Sequence, residues 1–190
     1  FKKFANIDCF DIEVDETDPH KLAEIVKALE PTFGAVNLED IKAPDCFIVE
    51  NECKKTMGIP VFHDDQHGTA IVCCAAAVNA LKINGKNIED IRLVCSGGGA
   101  AGTACINLMV SLGVKQENVM VCDRSGVIYK GREGMTPAKE QFAVETDCRT
   151  LEDAIKGADM FLGVSGPGVL KPEMVKSMAD APIIFGLANP

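Results

Sequence analysis

Short runs of β-branched and apolar residues alternate with helical runs along this chain, and four such runs lie in its second half. Strands that alternate with helices form βαβ units, whose strands pair in parallel. We therefore predict an α/β fold, with a Rossmann-like doubly wound parallel sheet and a smaller α/β lobe. The four strands are expected at 91–95, 119–122, 160–164 and 183–187, and helices at 100–112, 137–144, 151–156 and 173–178.

The first half of the chain shows a shorter alternation of the same kind. The turn signal Asn84-Gly85 ends a long apolar helix, and the character of the chain changes after it. We place the boundary between two lobes there, with residues 1–83 in one lobe and residues 84–190 in the other. Strands are expected at 7–14, 32–37 and 59–62, and helices between Asp18 and Pro31, at 45–56 and at 68–81.

A glycine-rich turn follows the strand at 91–95, matches G-x-G-x-x-G and opens a helix. In this motif the glycines allow a tight turn, close approach of backbone to a pyrophosphate and close helix–strand packing. Free amides at the helix N-terminus bind the phosphates. We predict a dinucleotide site, and the alternative is an ordinary strand-to-helix turn. Its residues are Gly97, Gly99, Ala100, Ala101, Gly102, Asp123, Arg124, Ser165 and Gly166.

Asp123 and Arg124, at the end of the next strand, favour different cofactors. The carboxylate could accept hydrogen bonds from both ribose hydroxyls of NAD, whereas the guanidinium could meet the 2′-phosphate of NADP. We predict NAD and keep NADP as the alternative. The loop at Ser165-Gly166 is expected to pass close to the cofactor, with a simple turn as the other interpretation.

Two acidic pairs, Glu39-Asp40 and Asp64-Asp65, each follow a short apolar run. Groups just past the carboxyl ends of parallel strands face a common crevice. Carboxylates packed together repel one another, unless a hard cation that prefers oxygen ligands lies among them. The pattern predicts a Mg²⁺ or Mn²⁺ site. The alternative is that these residues cap helices or turns.

His63 and His67 flank the second acidic pair in an arrangement that superficially matches the zinc motif H-E-x-x-H. That chemistry needs both imidazoles on one helical face and a glutamate that reaches the metal-bound water. Here Pro60 precedes the segment closely and an aspartate replaces the glutamate. We interpret the two histidines as polar framework near the site, and His20 as a surface residue.

Three segments of the chain resemble the bacterial-type malic enzymes. They are LEDI with Ala43-Pro44, PVFHDDQHGTA at 60–70, and LANP at 187–190. The resemblance implies oxidative decarboxylation of (S)-malate to pyruvate and CO₂ with reduction of NAD or NADP, residues 1–83 forming part of the substrate and metal lobe and 84–190 the nucleotide lobe. It also implies that Glu39, Asp40 and Asp65 bind the divalent metal, that Asp64 contacts a catalytic lysine, and that Asn189 contacts substrate.

In that family a lysine base and a tyrosine acid precede the stretch that matches Phe1, and further helices follow the stretch that matches Pro190. We therefore expect an internal piece, lacking the end of its nucleotide lobe, that binds better than it catalyses. Three alternatives stay open. They are a malolactic enzyme, an amino-acid or methylene-tetrahydrofolate dehydrogenase, and a catalytically incomplete nucleotide-binding module.

Composition excludes several classes of protein. A net charge of −9 argues against a nucleic-acid surface, and no apolar run reaches the ~18 residues that suggest a membrane span. The 9 cysteines are scattered without a Cys-x-x-Cys pair, which indicates reduced thiols in a reducing compartment. We expect a cytoplasmic homo-oligomer, a dimer or larger, that acts on a small-molecule substrate.

Overall fold

A computed structural model describes residues 1–188 of the chain. It contains two compact units, of which the first ends at Phe62 and the second begins at His63. This division differs from the expected one between residues 83 and 84. The reason is that helix 69–84, which the sequence placed in the first lobe, packs against helix 100–111 of the second unit.

The first unit is a small helical layer beside very short strands. Its second helix begins where the sequence predicts, because the side chain of Asp18 accepts hydrogen bonds from the amides of His20 and Lys21 and Pro19 occupies the first turn. That helix packs on the third one, around a core that includes Val26. The elements of residues 1–63 are α1 (Lys2–Ala5), α2 (Pro19–Ala28), β1 (Val36–Leu38), α3 (Asp45–Thr56) and β2 (Val61–His63).

The strand expected at residues 7–14 does not form in this structure. A strand requires a neighbour that pairs with its amides and carbonyls. Among residues 1–188, no backbone hydrogen bond joins this segment to another part of the chain. The alternating sequence pattern was therefore sufficient to predict an extended segment but not its pairing.

The second unit contains a five-stranded sheet in the order β5-β4-β3-β6-β7. Its four longer strands are parallel, and the short edge strand β5 is antiparallel to β4. The predicted α/β class and parallel sheet are confirmed. The elements are α4 (Thr69–Asn84), β3 (Leu93–Ser96), α5 (Ala100–Ser111), β4 (Val119–Asp123), β5 (Gly126–Val127), α6 (Pro137–Glu140), α7 (Leu151–Ile155), β6 (Met160–Gly163), α8 (Pro172–Lys176) and β7 (Ile183–Gly186).

Both faces of this sheet are covered, which explains why its strands are continuous apolar runs. Leu93 and Cys95 of β3 belong to the core on the side of α4 and α5. Val94, between them, belongs to the core that includes residues of α7 and α8. β3 pairs with β4 on one side and with β6 on the other. The winding of the chain therefore reverses between β3 and β6, which is where ligands bind in such sheets.

The helix α4 has 16 residues and ends at Gly85, whose φ of 65° confirms the predicted turn. Ala70, Cys73 and Ala77 are buried on its packed face, where small side chains let α5 approach closely. Neither α4 nor any other helix in the described part of the chain is long and apolar enough to span a membrane. All nine cysteines are free thiols, and seven of them are buried, as expected from their apolar contexts.

Candidate dinucleotide and metal site

The loops that follow β3 and β6 meet at the reversal point of the sheet. The amide of Gly97 donates to the carbonyl of Cys122 over 2.8 Å, and the amide of Val164 donates to the carbonyl of Ser96 over 3.0 Å. The hydroxyls of Ser96 and Ser165 lie 2.9 Å apart. The structure thus brings Ser165 beside the glycine-rich turn, although 69 positions of sequence separate it from Ser96.

Two glycines of the turn are required by the protein's own packing. Gly97 has a φ of 127°, and a Cβ there would lie 2.9 Å from Cγ2 of Val164. A Cβ on Gly102 would collide with the carbonyl oxygen of Gly97. A larger residue at Gly102 would push the helix away from the turn, and a larger residue at Gly97 would push the turn away from Val164.

Gly99 differs, because no atom lies within 4 Å of the position that a Cβ would take. No internal packing in the described structure accounts for a glycine at this point. Open space beside bare backbone is what a bound pyrophosphate needs. The geometry therefore fits the role that the sequence predicted for Gly99.

The N-terminus of α5 follows directly and includes Ala100 and Ala101. Within residues 1–188, no side chain caps this end of the helix and no acidic residue lies in its first turn. The first amides of a helix have no intrahelical partners, and the helix dipole places partial positive charge there. This twelve-residue helix therefore presents an uncompensated positive end that can bind an anion.

Asp123 ends β4 and is held by two cations that sequence analysis did not identify. Nη2 of Arg132 lies 2.8 Å and 2.7 Å from its two carboxylate oxygens, and Nζ of Lys139 lies 2.6 Å from Oδ2. The amide of Ser125 donates to Oδ1 over 2.9 Å. Burial raises the pKa of Asp123, but the hydrogen bonds from Arg132, Lys139 and Ser125 outweigh it and lower the pKa to about 2.

These partners change the expectation for Asp123. A carboxylate offers about four acceptor positions, and four hydrogen bonds from the protein already occupy them. Accepting both ribose hydroxyls would require Asp123 to give up a cation or an amide. Arg124 beside it is exposed. The basic partners come from separate elements, and no spacing in the sequence assigned them to Asp123.

Of the acidic pairs, Glu39 and Asp40 follow β1 in the first unit. Both side chains are exposed. The side-chain amide of Asn37 donates to Oε1 of Glu39 over 2.8 Å, and Asp40 has a φ of 54°. That left-handed conformation is uncommon for residues other than glycine, although aspartate tolerates it, and such conformations cluster at functional sites.

Asp64 and Asp65 belong to the second unit, in a π-helical turn that leads into α4 and packs against α5. A Cβ on Gly68 would collide with the carboxylate of Asp64, so the glycine makes room for that side chain. Asp64 is exposed and Asp65 is half-buried. In the described part of the chain, no group of three or more His, Cys, Asp or Glu side chains is arranged to hold a metal ion.

The proposed metal ligands have donor atoms of the type that a divalent cation such as Mg²⁺ prefers. Glu39, Asp40 and Asp65 contribute carboxylate oxygens only, without sulfur or imidazole. Hard divalent cations such as Mg²⁺ and Mn²⁺ prefer such ligands. The residues therefore fit the predicted metal by type.

The histidines differ sharply in environment. His63 is completely buried, and neither ring nitrogen has a partner among residues 1–188. His67 is half-buried in the π-helical turn. Nδ1 of His20 lies 2.6 Å from Oε1 of Glu52 at the surface, as expected for an exposed residue.

A shallow cavity of about 170 Å³ lies at the carboxyl ends of β6 and β7. Its walls include Gly166, one of the predicted cofactor residues, and the apolar side chains of Phe161, Leu170 and Ile184. No charged side chain is among the described residues that line it. The cavity therefore offers no cationic side chain that could pair with a carboxylate substrate. Asn189, the predicted substrate residue, lies outside the described residues.

Comparisons with known proteins agree with this geometry. Residues 66–190 match the family described as the malic enzyme, NAD binding domain. The whole chain is 62% identical to the NADP-dependent malic enzyme of Escherichia coli and spans 25% of its length. It is 52% identical to the bifunctional malic/malolactic enzyme of Bacillus subtilis and spans 47% of that protein.

A solved structure is also similar over all of this chain. It is the NAD-dependent malic enzyme from Thermotoga maritima, with a TM-score of 0.94 and 44% identity over 51% of that chain. The 190 residues therefore correspond to about a quarter to a half of the proteins that they resemble.

Proposed function

The chain belongs to the malic enzyme family, and we propose that it contributes the dinucleotide site and part of the metal site to an enzyme that oxidatively decarboxylates (S)-malate to pyruvate and CO₂. The observation that carries this proposal is at Gly99, where no atom lies within 4 Å of the position that a Cβ would take. This glycine lies between the strand β3 and the uncapped N-terminus of α5.

The residues of this chain would act on the cofactor in distinct ways. Gly102 would let the helix pack against the turn and Gly97 would let the turn pack against Val164, while the amides of Ala100 and Ala101 would neutralise pyrophosphate charge. Ser165 and Gly166 border the half of the crevice toward β6, where the neutral cavity would accept the nicotinamide. When bound, NAD or NADP supplies the hydride acceptor for C2 of malate.

For the choice of cofactor, we propose NADP in place of the NAD expected from sequence. Asp123, Arg132 and Lys139 together carry one net positive charge, and exposed Arg124 adds a second. A phosphate monoester carries about −1.5 to −2 charges near neutral pH, so it is matched at this position. Ribose hydroxyls, by contrast, would compete for a carboxylate whose acceptor positions are already filled.

Glu39, Asp40 and Asp65 would hold the divalent cation, and Asp64 would orient a basic lysine. When bound, the cation would supply positive charge that favours loss of the hydroxyl proton and withdrawal of electrons as CO₂ leaves. The carboxylate types and the left-handed backbone of Asp40 support this assignment.

A second candidate is the malolactic reaction, because the Bacillus subtilis relative is named a bifunctional malic/malolactic enzyme. Both reactions need the same dinucleotide and metal residues. Assaying lactate against pyruvate as the product of malate distinguishes them. We further propose a homo-oligomer in the cytoplasm, whose reducing conditions suit nine free thiols.

Gly99→Val tests the dinucleotide site in the full-length protein. A branched side chain would fill the open space and is expected to abolish NADP binding measured by calorimetry. Gly34→Val is the matched control, because a Cβ on Gly34 would also have no atom within 4 Å, but this glycine lies in the first unit. Normal NADP affinity in Gly99→Val would contradict the proposed position of the pyrophosphate.

A further inference from the structure

Ser96 is the last residue of β3 and carries a hydroxyl where the rest of that strand is apolar. It follows Leu93, Val94 and Cys95, and only 6% of its surface is exposed. A hydroxyl that leaves water loses free energy unless it forms a hydrogen bond. Among residues 1–188, the one partner of this hydroxyl is the hydroxyl of Ser165, at 2.9 Å.

The burial of Ser96 favours one direction for this hydrogen bond. Each hydroxyl carries one proton and can accept as well as donate. If Ser165 donated, the Ser96 proton would be buried without an acceptor in the described part of the chain, which costs free energy. If Ser96 donates, both groups are satisfied, because Ser165 is exposed. The proton of Ser165 is then free to bond to solvent or to a ligand.

The two hydroxyls are not needed to hold the β6 loop beside β3. The two strands pair in parallel, with Ser96 opposite Gly163. The amide of Val164 also donates to the carbonyl of Ser96 over 3.0 Å. Because backbone hydrogen bonds already fix the start of the loop, the side chain of Ser96 contributes something else. It determines the orientation of the exposed hydroxyl of Ser165.

Ser165 lies between the glycine-rich turn and the cavity at the ends of β6 and β7. Its amide nitrogen is 3.2 Å from the position that a Cβ on Gly97 would take, and the next residue, Gly166, lines the cavity. In a dinucleotide that spans these two places, the phosphate on the nicotinamide side follows the part bound at the turn. Phosphate oxygens that carry no proton only accept hydrogen bonds, so they require a donor with a free proton.

We propose, on the basis of the proposed dinucleotide site, that Ser165 donates a hydrogen bond to this phosphate and that Ser96 is the positioning residue for its hydroxyl. Donation from Ser96 keeps the Ser165 proton from turning toward β3. Consecutive hydrogen bonds also polarise one another. A hydroxyl that accepts from Ser96 is therefore a stronger donor to an anion.

Calorimetric titration of the full-length protein with ADP and with AMP tests this proposal. The second phosphate of ADP corresponds to the nicotinamide-side phosphate, and AMP lacks it. Ser165→Ala should lower the affinity for ADP about 10–100-fold, as expected for a hydrogen bond to a charged group. The affinity for AMP should not change. Equal losses for ADP and AMP would overturn the proposal, because they would indicate a general disturbance of the site.

Variants of Ser96 test the positioning role. Ser96→Ala should lower the affinity for ADP about 3–10-fold, as expected for a neutral hydrogen bond, whereas Ser96→Thr keeps a hydroxyl and should retain most of the affinity. Unchanged binding of AMP reports that the site remains folded in each variant. Equal affinity for ADP in the wild type and Ser96→Ala would refute the role of Ser96.

A double variant separates positioning from a structural role. Because Ser96 acts through Ser165, adding Ser96→Ala to Ser165→Ala should cause no further loss of ADP affinity. Losses that multiply would overturn the proposal. Ser177→Ala is the matched control, since the hydroxyl of Ser177 donates to the carbonyl of Met174 over 2.7 Å in the same unit. It should leave the affinities for ADP and AMP unchanged.

The same titrations distinguish this contact from the dinucleotide site as a whole. If ADP binds the wild type and Ser165→Ala equally well but binds Gly99→Val poorly, the role of the two serines is refuted and the dinucleotide site is supported. A loss of NADP affinity in Ser165→Ala without a loss of ADP affinity would overturn the phosphate contact. A wild type that binds neither ADP nor NADP would refute the site and this contact together.

Discussion

Neutralising Asp123 should weaken the folded protein in a manner that depends on pH. We expect Asp123→Asn to keep the size of the side chain while removing the charge that holds Arg132 and Lys139. The pKa of Asp123 is lowered from 3.8 to about 2, and each pKa unit corresponds to ~1.36 kcal/mol. The full shift is worth about 2.5 kcal/mol, which screening by nearby solvent reduces to about 1–2 kcal/mol.

The sign of the pH dependence follows from the lowered pKa. The folded state binds the Asp123 proton less tightly than the unfolded state, so ionised Asp123 stabilises the fold fully above pH 3.8. That stability disappears as pH falls through the folded pKa of about 2. The wild type and Asp123→Asn should therefore differ at pH 7 and converge toward pH 2.

Urea denaturation followed by circular dichroism measures the difference. With a slope of about 2 kcal/mol per molar urea, the midpoint at pH 7 should fall by roughly 0.5–1 M. Asp147→Asn is the control, since Asp147 is exposed, and its midpoint should not move. An equal loss in Asp123→Asn at pH 7 and at pH 2.5 would refute the electrostatic argument and indicate lost packing instead.

Three further changes test the site and the fold. Lys139→Ala should raise the KM for NADP about 10–100-fold, because it removes a hydrogen bond to a charged group, and it should leave the KM for NAD nearly unchanged. Lys130→Ala is the control. An equal effect on the KM of both cofactors would argue against a 2′-phosphate contact. Asp65→Ala should abolish Mn²⁺-dependent turnover without changing NADP affinity in the absence of metal, and turnover that survives EDTA would contradict the metal assignment. Asp159→Ala should lower the free energy of unfolding by about 1–3 kcal/mol. The reason is that Asp159 accepts hydrogen bonds from Nζ of Lys86 over 2.6 Å and from the amide of Arg92 over 2.9 Å. An unchanged urea midpoint would contradict this predicted loss of stability.

Local features of the site were predictable from sequence because they depend on neighbouring residues. Gly97 and Gly102 lie within one strand–turn–helix unit, and the restriction on Gly102 arises inside that unit, from the carbonyl oxygen of Gly97, whereas Val164, distant in sequence, restricts Gly97. The helix cap at Asp18 is equally local. The parallel sheet followed from the alternation of strands with helices, since each crossover fixes the direction of the next strand.

Features that depend on distant partners required the tertiary structure. The pattern of residues 7–14 predicted a strand, but a strand also needs a neighbour, which the pattern does not supply. The boundary between the two units lies after Phe62 and not after residue 83, because the small residues of α4 pack on α5 of the second unit. A helix that is apolar on several faces does not reveal from sequence which neighbour it will cover.

Asp123 shows the same limit at the level of function. From sequence it was an acid at the end of a strand, which favoured ribose hydroxyls and NAD. In the folded protein Arg132 reaches it from the loop after β5 and Lys139 reaches it from α6. The sequence by itself determined where the acid stands in the motif. Only the tertiary structure decided the charge around it, because that charge comes from side chains that folding brings together.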